Sequence, residues 1–195
     1  MAMQVRTKAE AVRAPAPHRW TRRQYEQMVE AGILDENDRV ELLDGEIIEM
    51  SPQKGPHATG VTLAADELRS AYSRDYTVRT QLPLSLDPDS EPEPDVAVVA
   101  GKPRDYREAH PVTAVLAVEV SDTTLTLDRT QKARLYARHG IPEYWILNVV
   151  DDCLEVYRDP DPASKAYQTK LTLHRGKTIT PPQGTKPIAV ADMLP

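Results

Sequence analysis

Two short, strongly apolar segments constrain the fold of this chain more than any other feature. Residues 95–100 (Asp-Val-Ala-Val-Val-Ala) and 114–120 (Ala-Val-Leu-Ala-Val-Glu-Val) are rich in β-branched side chains, and each holds a single acid. Strands that are buried on both faces have this nearly continuous apolar character, so we predict that both segments are central strands of a sheet. An acid in such a strand needs a partner, a proton or a metal ion, because an isolated buried charge is costly.

A β-hairpin is predicted upstream of these strands. Asp44-Gly45 lies between residues 39–43 and 46–50, and this dipeptide favours the positive φ angles of a type I′ turn. A two-residue turn pairs Glu41 with Ile48 and puts Glu41 on an apolar face of the hairpin. Glu41 is therefore a third acid that needs a partner.

Three helices are predicted from capping signals and helical periodicity. Thr21 and Gln24 form a capping box, so the first helix begins there and ends before Gly32. The second follows the loop at residues 51–56, and the third covers about residues 128–139. Further strands are predicted at residues 76–84 and 143–150, with a peripheral hairpin at 154–173 and a closing strand at 188–190. This order predicts a single α/β domain, in which a mixed β-sheet is flanked by helices and preceded by an N-terminal helix and a β-hairpin.

Composition limits the class of protein. The chain has 24 Lys plus Arg against 30 Asp plus Glu, which argues against non-specific adhesion to nucleic acid but leaves room for a local site. No apolar run is long enough to span a membrane, and a lone cysteine fits a reducing compartment, so we expect a cytoplasmic protein. Residues 1–17 are expected to be a flexible basic arm, and residues 18–195 the folded domain. The sequence signatures of serine hydrolases, nucleotide-binding loops and zinc peptidases are absent.

Three charged residues form the candidate site. Asp95 opens one central strand and Glu119 nearly closes the other, so their carboxylates converge at one sheet edge if the strands are neighbours. Two such oxygen ligands suit Mg²⁺ or Mn²⁺. Lys132 lies four residues before Tyr136 on the core-facing stripe of the third helix, from which it can reach this edge. Spacing alone leaves an equal alternative, in which Lys132 extends to the surface and both acids pair with arginines.

The segments around these positions resemble a known family. The segments are 41–46 (Glu-Leu-Leu-Asp-Gly-Glu), 51–52 (Ser-Pro) with His57 beyond it, 93–99 (Glu-Pro-Asp-Val-Ala-Val-Val), 118–121 (Val-Glu-Val-Ser), Asp128 with Lys132 and Tyr136, and 140–145 (Gly-Ile-Pro-Glu-Tyr-Trp). In this order they are similar to the Uma family of restriction endonucleases, in the PD-(D/E)xK restriction-endonuclease-like superfamily. The similarity runs from about Arg19 to the C-terminus. Ser121 stands where the superfamily has its lysine, and in the Uma family the following helix supplies that lysine, at the place of Lys132. Asp122 departs from the proline that the family often carries there.

The resemblance implies a restriction-endonuclease-like fold and a metal-dependent nuclease. The resemblance further implies that the substrate is nucleic acid, expected to be DNA, and that the products carry 5′ phosphates. Asp95, Glu119 and the carbonyl of Val120 are expected to hold Mg²⁺ or Mn²⁺, while Lys132 orients or helps deprotonate the attacking water. Glu41 is expected to complete the metal site, to hold a second ion, or to pair with an arginine such as Arg79.

Several alternatives remain open. His57 is a candidate substrate contact, although a histidine on an apolar stripe is more often a core residue, and Tyr136 and Trp145 are expected to pack. A catalytically silent nuclease-fold module that binds nucleic acid or protein is a second function, against which the retained acids and lysine argue. A glycosidase with paired carboxylates fits less well, because the chain has no Phe and only eight Tyr and two Trp for sugar platforms. A homodimer is expected if both DNA strands are cut, although no heptad or surface patch indicates one.

Overall fold

The computed structural model describes residues 16–35 and 37–195. The predicted flexible arm at residues 1–17 lies outside these ranges except for its last two residues. In chain order the elements are α1 (Arg22–Glu30), β1 (Val40–Leu43), β2 (Glu46–Glu49), α2 (Gly55–Ala71), β3 (Tyr76–Thr80), β4 (Val96–Ala100), a 3₁₀ turn (Pro103–Tyr106), β5 (Leu116–Ser121), α3 (Leu125–Leu127), a π-helical turn (Asp128–Lys132), α4 (Ala133–Arg138), β6 (Glu143–Asn148), β7 (Cys153–Asp161), β8 (Ala166–His174), β9 (Thr178–Ile179), β10 (Ile188–Ala189) and α5 (Val190–Met193).

A six-stranded mixed sheet forms the centre of the fold. Its strand order is β3-β4-β5-β6-β7-β8, in which β5 and β6 are parallel and every other neighbouring pair is antiparallel. The parallel pair is connected by α3, the π-helical turn and α4, as a parallel connection requires a crossover. The predicted mixed sheet flanked by helices is confirmed.

Apolar side chains cover both faces of the sheet. On one face, Leu68 of α2 and Met193 of α5 belong to one apolar cluster with Val98 and Val118. On the other face, Leu135 of α4 packs in a cluster with Ala117 and Ile146. Because both faces are covered, the central strands are apolar in nearly every position, and an acid in them is enclosed rather than solvated.

The β1-β2 hairpin has the predicted register. Glu41 lies opposite Ile48 and Leu43 opposite Glu46. Gly45 has a φ of 77°, and a Cβ at this position would lie 2.9 Å from the Cβ of Arg19, so the turn requires glycine for both its backbone angle and its close packing.

The first helix also begins as predicted. The Thr21 hydroxyl accepts from the Gln24 backbone N–H, and the Gln24 side chain accepts from the Thr21 N–H, which completes the capping box. The helix is followed by Gly32 at a φ of 67°.

Three expectations about the elements differ from the structure. The strand predicted at 76–84 ends at Thr80, because Gln81 has a φ of 50° that no strand accommodates. The third helix begins at Leu125 and contains the π-helical turn. The C-terminal hairpin is not peripheral: β7 pairs with β6 over six residues and extends the main sheet. None of the described helices has the length and apolar character needed to cross a membrane.

Candidate active site

The carboxylates of Asp95 and Glu119 lie at one edge of the main sheet. β4 and β5 are antiparallel neighbours with Val96 opposite Val118, so the start of one strand lies beside the end of the other. The backbone N–H of Val120 donates to Asp95 Oδ2 at 2.8 Å, which ties the two strand ends together. Both side chains are buried, with exposures of 7% for Asp95 and 3% for Glu119.

Lys132 reaches this edge from the helical crossover. Its Nζ lies 3.0 Å from Glu41 Oε1 and 3.1 Å from Glu119 Oε1, and the residue is 4% exposed. The alternative in which Lys132 extends to solvent is therefore wrong. Lys132 closes the π-helical turn, and such turns occur frequently at functional sites because they change which side chains face inward.

Glu41 brings the hairpin into the same cluster. Its Oε1 pairs with Lys132, and its Oε2 accepts from the backbone N–H of Glu93 at 3.0 Å. The alternative partner Arg79 lies elsewhere, since its guanidinium contacts His110 Nδ1 at 3.2 Å.

Three donors surround the carboxylate of Asp95. Besides the Val120 N–H, His57 Nε2 lies 3.2 Å from Oδ2 and Gln81 Nε2 lies 3.2 Å from Oδ1. Burial disfavours the charged form, but these hydrogen bonds from His57 and Val120 and the charges of His57 and Lys132 leave the pKa of Asp95 below its ordinary value. In turn, the hydrogen bond to Asp95 raises the pKa of His57. The second ring nitrogen of His57, Nδ1, is buried and has no partner among the described residues.

Acids outnumber cations in this cluster. Asp128 is a fourth buried acid, beside Glu41, Asp95 and Glu119, and its Oδ2 accepts from the Thr124 hydroxyl at 2.7 Å. Burial raises the pKa of Glu119 well above its ordinary value in spite of the attraction of Lys132. Burial also opposes the charge on Lys132, yet attraction by Glu119 and Glu41 raises its pKa well above the usual range. The ammonium is therefore charged, and the remaining negative charge favours uptake of a proton or another cation.

The donor set of this cluster fits Mg²⁺ or Mn²⁺. Within residues 16–35 and 37–195, no three His, Cys, Asp or Glu side chains converge closely enough to hold an ion by themselves. Mg²⁺ does not require such a cage, because it keeps several waters and is held by one or two carboxylates and substrate phosphates. Asp95, Glu119 and the Val120 carbonyl would supply oxygen ligands of this kind, whereas zinc prefers several Cys and His ligands and the cluster has His57 alone.

Two residues without a predicted role contact the site acids. Tyr136 was expected only to pack, but its buried hydroxyl also donates to Glu119 Oε1 at 2.8 Å. The spacing of four residues between Lys132 and Tyr136 could have indicated this contact, since both side chains then extend from one face of the helix. Gln81 had no such signal, because its contact with Asp95 depends on a backbone turn. Trp145 is buried in the core as expected.

A narrow cavity of about 50 Å³ opens onto the cluster. Its lining includes Glu41, His57, Asp95, Glu119 and Lys132, with Arg39 and Asp122 among the remaining residues. This volume holds an ion or a few waters but not a nucleotide, so a large substrate would lie across the opening. A larger groove of about 640 Å³ between the hairpin turn and α4 is lined by none of the four acids of this cluster.

Comparisons with known proteins agree with this architecture. The family model Uma2, described as "Putative restriction endonuclease", matches residues 22–191. Among solved structures, the chain is similar to a "putative nuclease belonging to DUF820" from Anabaena variabilis ATCC 29413, with a TM-score of 0.66 and 16% sequence identity over 84% of this chain and 94% of that one. At this identity the likeness shows the fold alone. No curated protein matches the chain.

Proposed function

The chain belongs to the Uma2 family, whose model covers residues 22–191, and from this premise we propose that it is a divalent-metal-dependent endonuclease that hydrolyses phosphodiester bonds in DNA and leaves 5′ phosphates. One observation carries the proposal. The buried ammonium of Lys132 is shared by Glu41 and Glu119 beside Asp95, at the edge of a restriction-endonuclease-like sheet. A structural ion pair needs one acid for one lysine, whereas this cluster retains an excess of oxygen ligands next to a cavity.

Asp95, Glu119 and the carbonyl of Val120 would hold Mg²⁺ or Mn²⁺, with Glu41 completing this site or contributing to a second one. When bound, such an ion polarises the phosphodiester and lowers the pKa of a water molecule. The hydrogen bonds to Asp95 keep its carboxylate ionised and therefore ready to serve as a ligand.

Lys132 would orient the attacking water and offset charge on the phosphate in the transition state. Its Nζ donates to Glu119 and lies at ion-pair distance from Glu41, which leaves an N–H for water or a phosphate oxygen. As an ammonium, Lys132 would donate hydrogen bonds to the water and to the phosphate, and it would help to deprotonate the water only after losing its own proton.

His57 would contact the substrate at the cavity. Nε2 of His57 is directed at Asp95 and Nδ1 is buried, so the ring of a protonated His57 would have to turn towards the cavity to donate to a phosphate oxygen. Arg39 lies beside the same cavity and would add a second cationic contact to the backbone of DNA. Cutting both strands takes two such sites, so we propose that a homodimer makes double-strand breaks.

The test is cleavage of plasmid and single-stranded DNA with Mg²⁺, Mn²⁺ or EDTA, comparing the wild type with Glu119→Gln. Glu155→Gln is a matched control: Glu155 is 2% exposed and lies in register with Glu119 across Ile146, but its partners are Arg129 and Lys170 rather than the site residues. We expect metal-dependent cutting by the wild type and by Glu155→Gln, and its loss in Glu119→Gln. The 5′ ends should accept a kinase label only after phosphatase treatment.

Two outcomes would contradict the proposal. Equal cutting by Glu119→Gln would identify a contaminating nuclease. Failure of the wild type to cut, together with no gain in thermal stability from either metal, would leave the catalytically silent module, which DNA-binding measurements at several salt concentrations would then test.

A further inference from the structure

Gln81 has an unusual backbone conformation beside the site. Its φ of 50° lies in the left-handed region, which residues other than glycine adopt at a cost in free energy. Asn and Asp tolerate this region better than Gln does. In the described part of the chain, three of the other five non-glycine residues with positive φ are aspartates. A glutamine that keeps this conformation directly after a strand therefore needs a compensating contact.

Two hydrogen bonds from Gln81 to Asp95 provide this contact. The Gln81 backbone N–H donates to the carbonyl oxygen of Asp95 at 3.2 Å, and the side-chain Nε2 donates to Asp95 Oδ1, also at 3.2 Å. The left-handed turn ends β3 and allows one residue to reach both the main chain and the side chain of Asp95.

The two carboxylate oxygens of Asp95 accept hydrogen bonds from different donors. Oδ2 accepts from the Val120 N–H and from His57, whereas Oδ1 has Gln81 as its donor. The terminal torsion of an aspartate is otherwise broad, so donors on both oxygens are needed to fix the plane of its carboxylate. Gln81 does not line the narrow cavity of the site; it borders a separate cavity of about 420 Å³. Any effect on the reaction therefore passes through Asp95.

We propose that Gln81 is a positioning residue that fixes the carboxylate plane of Asp95 for metal binding and phosphodiester cleavage. This inference rests on the proposed function, in which Asp95 is a ligand of the divalent ion. The strained backbone is retained because it delivers the side-chain amide to Oδ1.

Gln81→Gly separates the backbone from the side chain. Glycine adopts positive φ without the Cβ penalty, so the fold should keep or gain thermal stability while the amide contact is lost. Gln81→Asn is a second variant, because Asn tolerates the left-handed region and keeps an amide that is one methylene too short to make the same bond.

Gln183→Gly is the matched control. Gln183 is also a glutamine in the left-handed region, with a φ of 60°. Its side chain accepts from the hydroxyl of Tyr76, at the opposite end of β3 from Gln81 and about 16 Å away along the strand. The same backbone relief is therefore obtained far from Asp95.

The experiment measures cleavage kinetics with Mn²⁺, the dissociation constant of Mn²⁺ by calorimetry without DNA, and the melting temperature. We expect Gln81→Gly and Gln81→Asn to lower kcat by about tenfold or more and to weaken Mn²⁺ binding, with KM for DNA within about twofold. Gln183→Gly should match the wild type in both measurements. A role of Gln81 in folding alone would change the melting temperature and leave kcat and Mn²⁺ binding unaltered, which would overturn the inference.

Failure of the proposed function is a separate result. If neither the wild type nor Gln183→Gly cuts DNA, the nuclease proposal is refuted, and Mn²⁺ binding decides the role of Gln81. Weaker binding in Gln81→Gly than in Gln183→Gly supports the positioning role, and equal binding overturns it. Absence of Mn²⁺ binding by the wild type overturns both proposals.

Discussion

Replacing Lys132 with Met removes the ammonium and keeps a similar apolar stem. In the wild type the Nζ atom lies 3.0 Å from Glu41 and 3.1 Å from Glu119, and all three residues are buried. The variant leaves two acids enclosed without their cation. Because an uncompensated charge in such surroundings is very unfavourable, we expect at least one of the two glutamates to take up a proton in the folded state.

The size of the destabilisation follows from the free energy needed to keep the glutamate protonated at pH 7. The ordinary pKa of the glutamate is 4.5. Keeping it protonated at pH 7, about 2.5 pH units higher, costs about 3.4 kcal/mol relative to a glutamate of ordinary pKa, since each unit corresponds to about 1.36 kcal/mol. Because the pKa of Glu119 is already raised in the wild type, this value is the upper limit of the loss caused by the variant. For a chain of this length the limit corresponds to a melting temperature lowered by roughly 7–14 °C.

The loss of stability should depend on pH in one direction. In the variant, the folded-state pKa of the protonated glutamate lies above the unfolded value of 4.5. Its destabilising effect is therefore nearly absent at and below pH 4.5 and grows as the pH rises towards the folded-state pKa. We expect the loss to be small at pH 5, at most about 0.7 kcal/mol, and larger at pH 7, at most about 3.4 kcal/mol.

Urea unfolding in EDTA at pH 5, 6 and 7 measures this difference. The double variant Glu119→Gln with Lys132→Met has no carboxylate at position 119 to protonate. The pH dependence of its loss of stability should therefore disappear. The reasoning is refuted if Lys132→Met is as stable as the wild type at pH 7, or if its loss is the same at pH 5 and pH 7.

Three further predictions concern other parts of the fold. Although burial opposes it, hydrogen bonds from its cationic partners lower the pKa of Glu155 to about 2, so the stability that this residue contributes is present above pH 4.5 and lost as the pH falls towards 2. Glu155→Gln should therefore have a flatter melting-temperature profile between pH 2 and 5. Gly45→Ala should lower the melting temperature more than Gly32→Ala. Both glycines have positive φ, but only a Cβ at Gly45 would contact other atoms, the nearest at 2.9 Å. Equal losses in the two variants would contradict this reasoning. Tyr136→Phe should keep its circular dichroism spectrum but cut DNA about tenfold or more slowly, because it loses the hydrogen bond to Glu119; unchanged kcat would return Tyr136 to a packing role alone.

Short-range signals in the sequence were sufficient to predict most of the helices and strands. Asp44-Gly45 set both the type of turn and the pairing of Glu41 with Ile48, because a two-residue hairpin leaves no freedom in register. The capping box at Thr21 placed the start of the first helix for a similar reason. In each case the deciding contacts join residues only a few positions apart.

The partners of the buried charges depended on the tertiary structure. The sequence showed that Glu41 needed a partner but left Arg79 and the metal site as alternatives, and the fold supplied Lys132, 91 positions later in the chain. Periodicity placed Lys132 on the core-facing stripe, but the π-helical turn that precedes α4 has no signature in residue spacing.

Gln81 shows this limit at a single residue. Alternation predicted that the strand would continue to residue 84, since nothing local identifies a glutamine with positive φ. Only the neighbouring strand, which brings the oxygens of Asp95 within reach, compensates for that conformation. The sequence by itself thus determined the turn, most of the strands and the acids that had to be neutralised, because these follow from local geometry and from the cost of burying charge. The tertiary structure decided which atoms neutralise them, because those contacts form only when distant segments meet at the sheet edge.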